Sequence, residues 1–247
     1  MANWSDPRPG AAPYGRDHAP RDAAYDAGLR AYMLSVYNYM ASGVLLTGIV
    51  ALAFSWGGAT SPAAQVFVNG GPLAWLIMLS PLAIVFGMSF GQGRMSTGTM
   101  QILYWVFAVL MGLSLSTIFL VYTSTSIAQC FFATAAGFAG LSLWGYTTKK
   151  DLSGFGTFLI MGVVGLFVAS ILNIFLKSDG LGFAISAIGV LLFAGLTAYD
   201  TQKIKSMYDY VRGTDMMGKV VIMGALNLYL DFINMFLFLL RLFGSRD

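Results

Sequence analysis

Seven apolar stretches, each about 20 residues or longer, follow one another along this chain and leave it few ways to fold. They run approximately from Met33 to Trp56, Pro72 to Gly91, Met100 to Tyr122, Ser124 to Tyr146, Phe155 to Leu176, Leu181 to Ile204 and Val220 to Phe243. A hydrocarbon core of ~30 Å asks for about 20 helical residues per crossing. Backbone polar groups find no water there, so only helices and closed barrels span it, and runs of this length exclude barrel strands. The expected fold is therefore all-α: a polytopic membrane protein built as a seven-transmembrane-helix bundle. Composition agrees, because only 10% of residues are charged, against roughly a quarter in soluble domains.

Residues 1–30 hold no apolar run and are rich in Pro, Gly, Ala, Arg and Asp, so they read as a disordered tail ahead of a transmembrane domain over 31–247. Most connections are short. The exception nearest the N-terminus, Gly57 to Gly71, is uncharged and punctuated by Gly-Gly and Ser-Pro turn signals. Small residues recur within spans, as at Ala133, Ala136, Gly137 and Gly140 or at Gly162 and Gly165, a pattern that permits close helix contact.

Basic residues report the topology. Arg8, Arg16, Arg21, Arg30, Arg94, Lys149, Lys150, Lys203, Lys205, Arg212 and Lys219 fall on one side of the seven spans, leaving only Lys177, Arg241 and Arg246 on the other. The positive-inside rule then puts the N-terminus in the cytoplasm and, after seven crossings, the C-terminus outside. Arg241 and Arg246 fit that rule poorly, and a re-entrant last segment is the alternative arrangement. The small net charge of +3 gives no reason to expect a nucleic-acid partner. The one cysteine, Cys130, lies in an apolar span and reads as a small packed hydrophobe.

Polar residues inside the spans carry the functional signal. Asn227, Asp231 and Asn234 are spaced to form one stripe on a helix, and that face must look inward. An ionised carboxylate at membrane depth costs at least about 2.5–3.5 kcal/mol, so Asp231 needs a reason to be there. Measured from span ends near Gly224 and Ile204, Asp231 lies ~10 Å and Asp200 ~6 Å from the same surface, which lets the two meet. At about 4 Å and an effective dielectric of about 20 they would repel by about 4 kcal/mol, and the pair is expected to share a proton. Arg94, at the same end of span two, is positioned to neutralise the ionised pair, which makes the three residues a pH-sensing and gating set.

The segments Ala198-Tyr199-Asp200-Thr201-Gln202-Lys203-Ile204 and Leu228-Tyr229-Leu230-Asp231-Phe232-Ile233-Asn234-Met235-Phe236 together resemble the C-terminal signature of the Bax inhibitor-1 family, and the resemblance extends over 31–247. It implies a central seventh span surrounded by six others. It also implies a pH-sensitive calcium leak governed by an aspartate pair, here Asp200 and Asp231, with an arginine of the second span matched by position at Arg94. A member of bacterial type would sit in the cell (inner) membrane. Asn227 and Asn234 would give polar support along the ion path. With so few oxygens on offer, calcium would be held by Asp200 and Asp231 only weakly and in transit, since a tight site wants six to eight.

Other functions fit less well. Tyr199-Asp200 invites comparison with intramembrane aspartyl proteases, yet Asp231 follows Leu-Tyr-Leu where those enzymes carry Gly-x-Gly-Asp. The only histidine, His18, lies in the tail, so a serine protease lacks its base and resident metals or haem lack ligands. No lysine lies in span seven to hold retinal. The expectation is a protein that is not an enzyme and has no cofactor, with the bilayer and calcium as its partners. A non-conducting protein that binds and modulates another membrane protein is the alternative.

Overall fold

The computed structural model describes residues 18–246, with side chains from residue 23 onward. Eight α-helices account for nearly all of it: α1 His18–Ser55, α2 Pro62–Val68, α3 Pro72–Gly91, α4 Thr97–Leu115, α5 Ser124–Thr147, α6 Ser153–Leu176, α7 Asp179–Val211 and α8 Met217–Phe243. Seven of these, all but α2, are long and apolar enough to cross a membrane. Their bounds follow the apolar runs to within a few residues, except at the start of α1 and the ends of α4 and α7. Ser96, Thr123 and Ser178 cap α4, α5 and α7 with their side-chain oxygens, and Pro72 opens α3 where its missing N–H costs nothing.

The bundle is organised around α8. Of its apolar stretch, 72% is buried, against 11–44% for the other spans. Helices α1, α4, α5 and α7 pack directly on it, while α3 lies chiefly on α4 and α6 on α7. The last span is thus central, as expected, but four helices form its main wall and two stand outside them. Helix α8 is also unbroken over 27 residues, or about 40 Å at 1.5 Å per residue, so the chain passes through and does not turn back.

Three expectations need correction. The tail expected over 1–30 is not uniform: 1–17 lie outside the described residues, and from His18 the chain is already α1. Helices α1 and α7 both overshoot a bilayer core, and their overshoots hold each other. Tyr25 donates to Asp209 Oδ1 at 2.7 Å, Arg212 stacks over the Tyr25 ring, and Tyr25 and Tyr32 both pack on Tyr208. The Gly57–Gly71 connection is not merely a loop either, because Ser61 caps the short α2 within it.

The small-residue pattern also misled. Ala133, Ala136, Gly137 and Gly140 are exposed, and a Cβ on Gly137, Gly140 or Gly165 would meet open space. The inward stripe of α5 is Thr134, Phe138, Ser142 and Gly145, and the exposed small residues occupy its other side. Backbones approach closely elsewhere: Gly145 lies against the Ala198 backbone of α7, and Gly112 against the Thr47 carbonyl of α1. Gly162 alone of the expected group faces a neighbour, the Leu192 side chain. Cys130 packs with Ile127, Phe236 and Leu240, as a small hydrophobe should.

Candidate functional site

Helices α7 and α8 run antiparallel, with Gly224 against Ile204 at one end and Gly189 against the Phe238 ring at the other. That register sets Asp231 level with Thr197 and Asp200 level with Leu228, so the carboxylates are offset by ~4.5 Å along the axis at 1.5 Å per residue. Both lie on the α7–α8 interface, the most extensive helix contact in the bundle. Asp231 sits near the midpoint of α8, 4% exposed. Its Oδ2 is buried and accepts no hydrogen bond among the described residues. Buried polar atoms nearly always have a partner, so such an orphan marks either a neutral, protonated group or a place where something else binds.

The flanking amides do not satisfy it. Asn234 Nδ2 donates back to the Leu230 carbonyl of its own helix at 2.8 Å, and both Asn227 and Asn234 are half-buried. The stripe faces inward as the spacing requires, yet it is not a closed hydrogen-bonded unit. Arg94 is exposed in the turn between α3 and α4, where its backbone N–H closes on the Gly91 carbonyl. It is not part of the carboxylate cluster. The cation nearest to Asp200 along α7 is Lys203, one turn further on, whose ammonium lies over the Tyr199 ring. The turn does lie at the end of the bundle where α8 begins, since Lys219 Nζ donates to the Gln92 carbonyl at 3.4 Å, but the Arg94 side chain is exposed there.

What the sequence did not reveal is how Asp200 is held. Tyr199, Asp200, Thr201 and Gln202 are consecutive on a helix, so each points ~100° from the last and meets a different neighbour. The Tyr199 ring lies against Gly156 of α6. Thr201, fully buried, joins a hydroxyl chain to Ser142 of α5 at 3.0 Å and on to Tyr37 of α1 at 2.6 Å. Gln202 clamps the α5–α6 connection, accepting from the Leu152 N–H and donating to the Lys150 carbonyl, both at 2.8 Å. Lys205 adds a bond to the Tyr146 carbonyl at 2.7 Å. Three helices and a loop therefore fix the turn of α7 that carries Asp200. One clue was available: four successive polar or aromatic residues at the end of an apolar span must satisfy partners on several sides.

A second polar node secures α8 itself. The Tyr229 and Thr47 hydroxyls are 2.7 Å apart, and Thr47 also donates to the Ala108 carbonyl at 2.8 Å, tying α8 to α1 and α4. The Tyr229 ring meets Phe107 edge-on. Near the hydroxyl chain, a cleft of about 510 Å³ opens between α1 and α5, with Tyr37 and Ser142 among mainly apolar walls such as Met33, Phe138 and Leu143. Among the described residues no three His, Cys, Asp or Glu side chains gather into a metal-binding group.

Comparison with known proteins supports the same outline. Residues 29–247 match the family model described as inhibitor of apoptosis-promoting Bax1. A protein of Rickettsia prowazekii is 49% identical over 227 residues, covering 92% of this chain and 94% of its own. The inner membrane protein YbhL of Escherichia coli K12 is 48% identical over 224 residues, covering 89% and 94%. A Caulobacter vibrioides protein is 48% identical over 236 residues, covering 91% and 92%.

Proposed function

This chain belongs to the Bax inhibitor-1 family of integral membrane proteins, and from that premise we propose that it is a calcium leak gated by the protonation of Asp200 and Asp231. The observation that carries the reading is the buried Oδ2 of Asp231, without a partner among the described residues, with Asp200 less than one turn away in register on the helix packed against it. A carboxyl group so placed is tolerable when neutral. Once ionised it calls for a cation, and a divalent ion answers two carboxylates at once. Proton and calcium therefore compete for the same oxygens, which couples conduction to pH.

Calcium is the transported ion here and not a resident one. Asp200, Asp231 and the amide oxygen of Asn227 supply fewer oxygens than the six to eight of a tight site, so water completes the shell and the ion leaves readily. Asn234, bonded to its own helix, shapes the stripe without coordinating. Lys203, one turn from Asp200 on the same helix, takes the part that Arg94 was expected to play. No bond-making chemistry is involved, and the protein is not an enzyme. Its relative YbhL is named as an inner membrane protein, and the same location suits this chain, with the N-terminus and the end rich in Lys and Arg in the cytoplasm.

The test is calcium flux into liposomes that carry the purified protein and enclose a calcium indicator. Flux should change as the bath passes from neutral to mildly acidic, and Asp231→Asn should abolish that dependence while the protein remains folded by thermal melting. Folded wild-type protein that passes no calcium under any condition would contradict the proposal. That result would favour the second reading, a non-conducting protein that modulates another membrane protein. The observation on that side is the open apolar cleft between α1 and α5, and crosslinking in native membranes would then capture the protein docked there.

A further inference from the structure

We propose that the end of the bundle opposite Asp200 holds the headgroup of an anionic phospholipid in a cleft lined by Lys177, Arg241 and Arg246. The cleft has a volume of about 390 Å³, and among the described residues Asp179 is its only acidic lining residue. A smaller cavity of about 280 Å³ adjoins it through Asn173, Gly182 and Arg241. These three residues are the whole basic complement of that end as read from the seven spans. They converge on one place although they come from the α6–α7 turn, the last turn of α8 and the segment after it.

The local structure positions these cations toward one cleft. The Arg241 guanidinium lies over the Phe238 ring and that of Arg246 over the Tyr122 ring, which orients each planar head, and stacking of this kind uses the face of a guanidinium and not its N–H edge. The segment carrying Arg246 is pinned to α5 by two bonds, Thr123 N–H to the Ser245 carbonyl at 3.0 Å and Ser245 N–H to Ser126 Oγ at 2.9 Å. Lys177 has φ 48°, the only left-handed residue other than glycine among the described residues. Gly would adopt that turn with less strain, so a cation occupies a position the backbone alone would give to glycine.

The rim decides which anion. Leu176, Phe183 and Phe243 are 65%, 67% and 72% exposed beside the cationic cleft. A phosphate carried on acyl chains satisfies the guanidinium forks and covers this apolar margin together, whereas a soluble phosphate satisfies only the first. The site does not depend on the calcium reading, since it lies at the other end of α7 and α8. It also accounts for basic residues on the side where the positive-inside rule expects few.

The experiment is native mass spectrometry of the full chain in detergent, titrated with phosphatidylglycerol or phosphatidylcholine. Wild type should retain one phosphatidylglycerol in preference to phosphatidylcholine. Arg241→Gln should weaken that retention about tenfold, and the combined Lys177→Gln, Arg241→Gln and Arg246→Gln variant should lose it. Lys149→Gln with Lys150→Gln, an equal kind of neutralisation at the other end, should leave it unchanged. Thermal melting without added lipid separates lost binding from lost folding, and Arg241→Lys, which keeps the charge, should bind between wild type and Arg241→Gln. Equal retention by wild type and the Arg241→Gln variant would overturn the proposal. So would a matching loss in the Lys149 and Lys150 variant, or displacement of phosphatidylglycerol by inorganic phosphate at equal concentration.

Discussion

Helices α6 and α8 are of similar length, and either would pass as an ordinary membrane span. Helix α6 is the most apolar of the seven and has 11% of its apolar stretch buried; four of the other spans are more apolar than α8, yet α8 is 72% buried. In water the order would be reversed. Lipid is as apolar as leucine, so apolarity marks what faces the bilayer, and the interior goes to the helix whose polar and small residues need partners. Asn227, Tyr229 and Asp231 are what send α8 to the centre. The polar residues near the ends of α6, Ser170 and Asn173, sit over local bonds within the helix and its cap.

Substitutions sharpen this contrast, beginning with the largest effect. Tyr229→Ala in α8 removes a fully buried ring and its bond to Thr47, and should lower unfolding free energy by about 3–5 kcal/mol. Phe175→Ala in α6, where the ring is 78% exposed, should stay within about 0.5 kcal/mol. Reversible denaturant unfolding in mixed micelles measures both, and equal losses would break the comparison. Next, Gly145→Ala sets a Cβ against the Ala198 backbone, which should destabilise by about 1–3 kcal/mol. Gly140→Ala, five residues earlier on the exposed face, should be close to neutral. The smallest effect is expected of Thr47→Val, about 1 kcal/mol, through the unpaired Tyr229 hydroxyl. A double-mutant cycle with Tyr229→Phe should recover most of that loss, and additive losses would show that the hydrogen bond contributes nothing.

Most of the architecture could be read from the chain before its fold was known. Span number, approximate bounds and the inward face of α8 all follow from requirements that the bilayer imposes residue by residue. The parts that escaped are those set by tertiary neighbours. Residues 18–32 carry too many charges and alanines to look like core, and only the matching overshoot of α7, with Tyr208 and Asp209, gives Tyr25 and Tyr32 something to pack on. The glycines of α5 illustrate the same limit: spacing shows that small residues share a face, while the neighbouring helices decide whether that face is covered.

The candidate site divides in the same way. Asp231 was legible because a carboxylate amid apolar residues is anomalous without any knowledge of its surroundings. Asp200 was legible from its depth near the end of the apolar span, although α7 itself continues to Val211. Its true neighbours were not, since choosing Lys203 over Arg94 depends on which side chain is on the same helix face and which is at a turn. The Thr201–Ser142–Tyr37 chain escaped for a related reason: hydroxyl residues on three different helices carry no pattern along the sequence.

The central claim is that Asp231 changes protonation inside the bundle, and difference infrared spectroscopy of the protein in lipid observes that event directly. Stepping the sample from neutral to mildly acidic should produce a carbonyl band of protonated carboxylic acid that is absent from the Asp231→Asn variant and reduced when calcium is raised at constant pH. A carbonyl difference band that persists unchanged in Asp231→Asn, or one indifferent to calcium, would contradict the account.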